Sequence, residues 1–462
     1  MRYLLFTALA LVLLVGAASA LPSEVTQTIV ATASGGDLSQ EAYQSAEVVG
    51  EGAVLTQGIE VSAEGTGEVA QDADNYGYAD GAAAVVTQGI TMEATGENVY
   101  QNPFTYGNYA EVFGEGAILG QYMALAAAAE EYLYQYAYND AWTIGDGIVT
   151  TQGIAQAGAA GGDINQYAYN DASVWGIGTT TTQGIALAAT SIDGWISQDV
   201  WNDADPDAGS LADQEIALAA ATGGDIDQDA YNYAYFYGDG AVALQAVSMD
   251  ADAGGYADQY GYNYADMGDY DTIMVDQSAT LNAVAGTWVW QEFYNDNEYA
   301  GSNTVSDQDI TMSGTGDDVD QYLYNYFASD GAVSEATQVL NAGANSEGYA
   351  YQYAYNSAFG TDDLGDSTSF VAQGISGTAW GRPTATQLFS NYIITSRDPD
   401  ESLIAAQSIT ATINAEQYAG QELGNYMDWW GGVDGQLGQE ILASSFADLI
   451  SQYSGNYLNP FP

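Results

Sequence analysis

The 462-residue chain contains no cysteine and no histidine, and its three basic residues are all arginine: Arg2, Arg382 and Arg397. Each absence removes a class of function. Without cysteine there is no disulfide staple and no thiolate nucleophile. Without histidine or lysine there is no imidazole acid–base pair and no Schiff base. Three cations against 62 acidic residues give a net charge of −59. Such a surface has no basic cluster for nucleic-acid phosphates or for anionic lipid. With no lysine and only seven prolines, strand edges lack their usual guards against recruiting other chains.

Long apolar runs are also missing after the first sixteen residues. Arg2 supplies a positive start, Tyr3 to Gly16 an apolar stretch, and Ala18-Ser19-Ala20 a small-residue cleavage site. This is the pattern of a secretory signal peptide over residues 1–20, with a signal anchor as the alternative. The mature chain, 21–462, is expected to begin near Leu21 and to act outside the cell. No later stretch is long and apolar enough to span a membrane.

What is abundant is tyrosine, 37 residues, within a chain that is 47% hydrophobic. Disordered acidic chains are poor in aromatics, so an ordered β protein is the better reading. The sequence also repeats. Gln-Tyr-Ala-Tyr-Asn stands at Gln135–Asn139, Gln166–Asn170 and Gln352–Asn356. Looser copies begin at Gln228, Gln259 and Gln321, which puts further asparagines at Asn232, Asn263 and Asn325. The glutamine recurs from Gln40 to Gln452 in steps of 30 to 35 residues, most often 31, and Asn follows four residues on except after Gln40 and Gln101. A second series, Thr-Gln-Gly-Ile at its clearest, is centred on Gln57, Gln88, Gln152 and Gln183 and runs from Gln27 to Gln439. The two series alternate strictly. The repeating unit is therefore a pair of strands, A (Thr-Gln-Gly-Ile) and B (Gln-Tyr-Ala-Tyr-Asn), and there are fourteen such units.

Both strands alternate in the β manner. In strand B the aliphatic residue two before Gln, the Gln and the Asn share one face. The other face carries aromatics, with Tyr43, Phe104, Tyr138, Tyr169, Trp201, Tyr231, Tyr262, Tyr294, Tyr324 and Tyr355 three residues past Gln. In strand A, Leu55, Gln57, Ile59 and Val61 share a face, and the Gly after Gln leaves room for another backbone or sheet to approach. The turns are Gly-rich and acidic: Gly65-Thr-Gly-Glu68, Gly161-Gly-Asp163 and Gly223-Gly-Asp225 between A and B; Gly50-Glu-Gly52, Gly114-Glu-Gly116, Gly145-Asp-Gly147, Gly238-Asp-Gly240 and Asp330-Gly331 between B and the next A. Gly is expected to supply positive φ there, and Asp to bond its own backbone. Regularity fades over 360–462, which holds Arg382, Pro383, Arg397, Pro399 and Trp429-Trp430. It reads as a modified end of one repetitive domain.

Two all-β architectures fit this pattern. In a β-arch solenoid each unit lies on the last, so that like amides hydrogen-bond in ladders about 4.8 Å apart, as in amyloid. In an antiparallel meander the same turns join about 28 strands, although open sheets rarely reach that width. Either leaves open edges and an apolar tyrosine face, which favours self-association. The residues singled out are the ladder glutamines and asparagines above and, as a self-association face, Tyr138, Tyr169, Tyr231, Tyr262, Tyr294, Tyr324 and Tyr355.

Site chemistry is thin. Paired carboxylates can hydrolyse glycosides, but here acidic pairs recur without one being distinguished, so no enzyme is expected. Asp203-Ala-Asp-Pro-Asp207 and Asp250-Ala-Asp252 are weak cation loops, and no cofactor is expected beyond diffuse Ca²⁺ or Mg²⁺ at acidic turns. Thr150-Thr151 and Thr179–Thr182 form a candidate ice-binding row. Stacked carboxylates are expected to repel and so to have raised pKa values.

In its Gln and Asn ladders the chain resembles curlin-type functional amyloids. In composition and repeat style, over the whole mature length, it looks more like the sheath proteins of filamentous methanogenic archaea. That resemblance implies an extracellular tube around cells, with the chain as its own main partner. The alternative is a monomeric solenoid adhesin or carbohydrate binder using the tyrosine face.

Overall fold

A computed structural model describes residues 24–101, 107–268, 273–300, 304–329, 335–361, 368–396, 402–430 and 436–461. The signal-peptide segment, Phe104, Asp330-Gly331, Arg397 and Pro399 lie outside them, as do the side chains of Trp429 and Trp430. The chain forms two compact units, one up to Tyr233 and one from Ala234.

Both units are parallel β-solenoids with a repeat of about 31 residues. The antiparallel meander is thereby excluded. In the first unit the A strands pair in register, Glu24–Gly35 on Val54–Gly65 and Val149–Ala160 on Thr180–Ser191, so that Gln27 meets Gln57 and Gln152 meets Gln183. The B strands do the same, with Gln135 on Gln166 and Asn139 on Asn170. The second unit repeats this, Gln277 on Gln308 in A and Gln321 on Gln352 in B.

Register follows from what each face holds. Inward positions of both strands are buried, including Leu55, Ile59, Val61, Leu133, Ala137 and Ala141. A one-residue slip would exchange this row for Tyr and Asp. Volumes compensate across the interior of the second unit. A side chain on Gly377 of strand A would strike the Phe389 ring of strand B; within the B sheet, one on Gly261 would strike Phe293 one coil on. Each phenylalanine fills the space its glycine leaves.

The two turn classes use glycine differently, which corrects the sequence expectation. Positive φ occurs in the B-to-A turns, as at Gly145 (149°) and Gly147 (69°). A Cβ at the first of these glycines would meet the backbone of the equivalent turn one coil before. No positive φ is found at Gly161, Gly162, Gly223 or Gly224 of the A-to-B turns. There glycine allows close stacking on the backbone beneath, Glu130 under Gly161 and Ile192 under Gly223. Where Ala and Glu replace Gly, over Ala126–Glu131, one strand runs unbroken from Ile118 to Ile144. Turn carboxylates also reach further than their own backbone. Asp163 accepts from the Trp195 N–H (2.9 Å), Asp146 from Ile177 (3.0 Å) and Asp318 from Tyr349 (2.8 Å), each one coil on.

Two substitutions probe these contacts. In the turn where other coils place Gly at φ 66–79°, the second coil has Ala83 at 57°. Ala83→Gly is expected to stabilise the fold by roughly 0.5–1 kcal/mol, the relief of left-handed strain less the added unfolded-state entropy. Gln166→Leu is expected to destabilise it by about 1–3 kcal/mol, since it strands buried partners on both sides. Denaturant midpoints of the two variants against the parent check both.

Candidate functional site

The repeated side chains form three buried amide columns. In strand A of the first unit, Nε2 of each glutamine donates to Oε1 of the one before, from Gln57 to Gln27 through Gln214 to Gln183, at 2.8–3.1 Å. The strand B glutamines do likewise, from Gln71 to Gln40 through Gln228 to Gln198, at 2.7–3.1 Å. The asparagines run the opposite way. Asn75 donates to Asn108, Asn108 to Asn139, Asn139 to Asn170, Asn170 to Asn202 and Asn202 to Asn232, at 2.9–3.0 Å. The second unit has the same polarity, with Gln277 to Gln245 and Gln291 to Gln259 pointing back, and Asn263 to Asn295 and Asn325 to Asn356 pointing forward.

Each amide has a second N–H, and it crosses the interior. Gln152 donates to the Asp171 carbonyl (2.7 Å), Gln166 to Ala188 (3.3 Å) and Asn139 to Gly153 (3.2 Å). The columns thus bind coil to coil and sheet to sheet, and most of their members are under 3% exposed. The interrupted third copy is explained here. Gln101 lacks an Asn four residues on, yet Asn108 takes the asparagine place beside it. Gln44 stands in that column one coil before Asn75, but its amide donates to the Gly58 carbonyl instead (2.9 Å).

The outer face of strand B carries the singled-out tyrosines. Tyr138, Tyr169, Trp201 and Tyr231 make an edge-to-face column with centroids 5.2–6.5 Å apart. Tyr262 meets Tyr294 edge-on at 6.0 Å, and Tyr294 stacks on Tyr324 at 4.4 Å. Tyr355 is in register above Tyr324. The face is also acidic. Tyr262 donates to Asp296 of the next coil (2.8 Å), Tyr264 to Glu298 (3.2 Å) and Trp288 to Asp320 (2.9 Å). Burial, with the Asp320 carboxylate and neighbouring phenols, lifts the Tyr322 phenol to about 12.

Raised carboxylates do occur, on this face and at Asp276 and Asp309 of strand A, rather than in the turns where the acidity was expected to matter. Asp140, Asp171 and Asp203 are stacked in register. Burial, with the charge of neighbouring carboxylates, lifts Asp140 and Asp203 to about 7. Asp171 is raised by burial against the opposing bond from Tyr138. Asp296 rises to about 6, again chiefly through burial.

The outer face of strand A differs. Gly89, Tyr122, Gly153, Gly184, Ala124, Ala155 and Ala186 border a shallow apolar groove of about 480 Å³. Nothing lies within 4 Å of where a side chain would stand on Gly89 or Gly184. The proposed threonine row divides between the two faces: Thr151, Thr180 and Thr182 are half-buried on the outer side, whereas Thr150, Thr179 and Thr181 are buried inward, and Thr179 bonds Ser210 (2.8 Å). Asp203–Pro206 and Asp250–Asp252 are strand instead, within Ile196–Pro206 and Val242–Ala253, and Asp207, just past the first, accepts from the Gly176 N–H (3.0 Å). Among the described residues no group of three or more carboxylates converges to hold a metal ion.

The raised carboxylates set a sign for pH dependence. The unfolded chain ionises them near pH 4, whereas the folded chain holds the proton until pH 6–7. Their contribution to stability is present in full below pH 4 and is lost as pH rises through 7. The denaturant midpoint is expected to be higher at pH 4.5 than at pH 8. Asp140→Asn or Asp203→Asn is expected to recover about 1 kcal/mol at pH 8, allowing for solvent screening.

No family model matches the chain, and no curated protein or solved structure matches it.

Proposed function

We propose that this is an exported structural protein that assembles through its sheet edges into an extracellular sheath or tube around cells. The observation that carries the reading is the set of amide columns: each coil presents the next with the same buried amides in register, a pattern that another copy of the chain can extend.

The resemblance to methanogen sheath proteins points the same way, as do the absent lysines and the scarce prolines. The working residues are the amide columns, which make each coil a template for the next. Lateral contact falls to the tyrosine face, whose carboxylates oppose one another when two copies meet face to face. Protonation, or diffuse Ca²⁺ or Mg²⁺, relieves that repulsion. The chain has no part in catalysis on this reading.

Fractionation and pH test it. The chain is expected in the detergent-insoluble envelope, and purified chain is expected to sediment as polymer more readily at pH 5 than at pH 8, with divalent cations narrowing the difference. A chain that stays a soluble monomer across that range overturns the reading in favour of the adhesin.

A further inference from the structure

The outer face of strand A carries no charge over three consecutive coils of the first unit. The outward residues of 118–129, 149–160 and 180–191 are all Ile, Val, Thr, Gly, Tyr or Ala, in a chain with 62 acidic residues. Register stacks Ala124 on Ala155 and Ala186, and Ala126 on Ala157 and Ala188, and all six are exposed. Beside them Ile118, Tyr122 and Val149 are 38–50% exposed. Alanine is a poor strand former and is apolar, so neither strand formation nor contact with water accounts for it here. In earlier coils the same two rows hold Glu60 and Glu93. Acid returns at the rim, with Glu93 in the coil before, Asp213 and Glu215 in the coil after, and Glu130 and Asp146 at the two ends. An apolar patch of this kind with a polar rim marks a contact with another protein.

From this we propose that two copies of the chain pair through this face, each laying its uncharged coils on those of the other. Charge selects the occupant. The tyrosine face of a second copy would bring carboxylates into the contact, where they lose water and gain no partner. The same uncharged coils of a second copy bring none. A basic partner finds no carboxylate within the face to bind, and an anionic membrane meets the acidic rim. The relief also suits a sheet. A side chain on Gly120 or Gly153 would stand 3.3 or 3.1 Å from the Tyr122 ring, so the ring lies along the face beside them. Three strands about 4.8 Å apart and about 36 Å long present roughly 500 Å² per copy, or about 1,000 Å² in a pair, the size at which a specific contact begins. The patch is used up when it meets its like, so the contact closes as a pair. It goes beyond the sheath reading, since it needs no growth through the sheet edges. It adds a lateral contact on the side of the unit away from the tyrosine face, and with no carboxylate inside it the pair is expected to hold at pH 8.

Charge placed in the face tests this. Ala155→Glu with Ala157→Glu gives the middle coil what Glu60 and Glu93 already are in those rows, and Gly184→Glu repeats Glu215. A side chain on Gly184 meets nothing within 4 Å. Each change is one the fold already accepts in a neighbouring coil, which far-UV dichroism checks. Thr280→Glu, three residues past Gln277 as Ala155 is past Gln152, is the control on the second unit. Full chains are sedimented at pH 8 in about 0.15 M salt, where exposed charges are screened beyond about 8 Å. The parent and Thr280→Glu are expected at twice the mass of one chain, or as fibres of twice the mass per unit length, and both face variants at half of that. Folded face variants that keep the parental mass, or a parent that is single at pH 8, overturn the pairing. Polymer from the same parent at pH 5 then leaves growth through the edges standing. A chain that pairs at pH 8 and never grows at pH 5 keeps the pairing and removes the sheath.

Discussion

A buried carboxamide has to be satisfied on both sides, and that constraint organises the molecule. Its oxygen needs a donor and its nitrogen needs two acceptors, all away from water. In Gln166 the oxygen takes a bond from Gln198, while the nitrogen gives one to Gln135 and one to the Ala188 carbonyl. The first two partners are the same residue type one coil up and one coil down. An identical amide is thereby needed at every level, which forces an in-register parallel stack. The third partner ties sheet B to sheet A, so the interior is held by polar bonds as well as by apolar contact.

The apolar rows accept variety where the amide columns do not. Volume moves from one sheet to the other, as with Gly377 and Phe389, while Gln and Asn stay in place. The outer faces vary most, from tyrosine and aspartate on strand B to alanine and glycine along part of strand A. The division is physical. Apolar neighbours ask only for the right total volume, whereas a hydrogen-bond column asks for one length and one geometry.

Much of this was legible in the chain. The spacing of Gln135, Gln166 and Asn170, and the alternation around them, specify strand, face and register. Two architectures remained because an antiparallel sheet can use the same turns. The third copy was legible only in part: the pattern marks Gln101 as lacking its asparagine, but a spacing rule has no means of finding Asn108 beyond an insertion. Thr150 and Thr181 misled because a short polar side chain reads as surface, although here it points inward. Gln156 went unnoticed for the same kind of reason. It lies inside, one Ile further along strand A, and donates to the Tyr167 carbonyl (2.8 Å), a bond with no periodic signal. The role of turn carboxylates was missed because their partners are one coil away, a distance of about 31 residues that local turn rules do not cover.

The passage from Gln101 to Asn108 has a wider consequence. Elsewhere three residues separate the two amides, here six do, and both columns continue through the coil with normal bonds. Gln and Asn therefore act as separate rivets, each seated by its own neighbours. Genetic change can lengthen the chain between them, or drop a whole coil, without disturbing what lies above and below. A lineage built on such a scaffold is free to drift in length and in outward chemistry while its interior stays recognisable, which is one way for a protein to keep its architecture after sequence likeness to its kin has worn away.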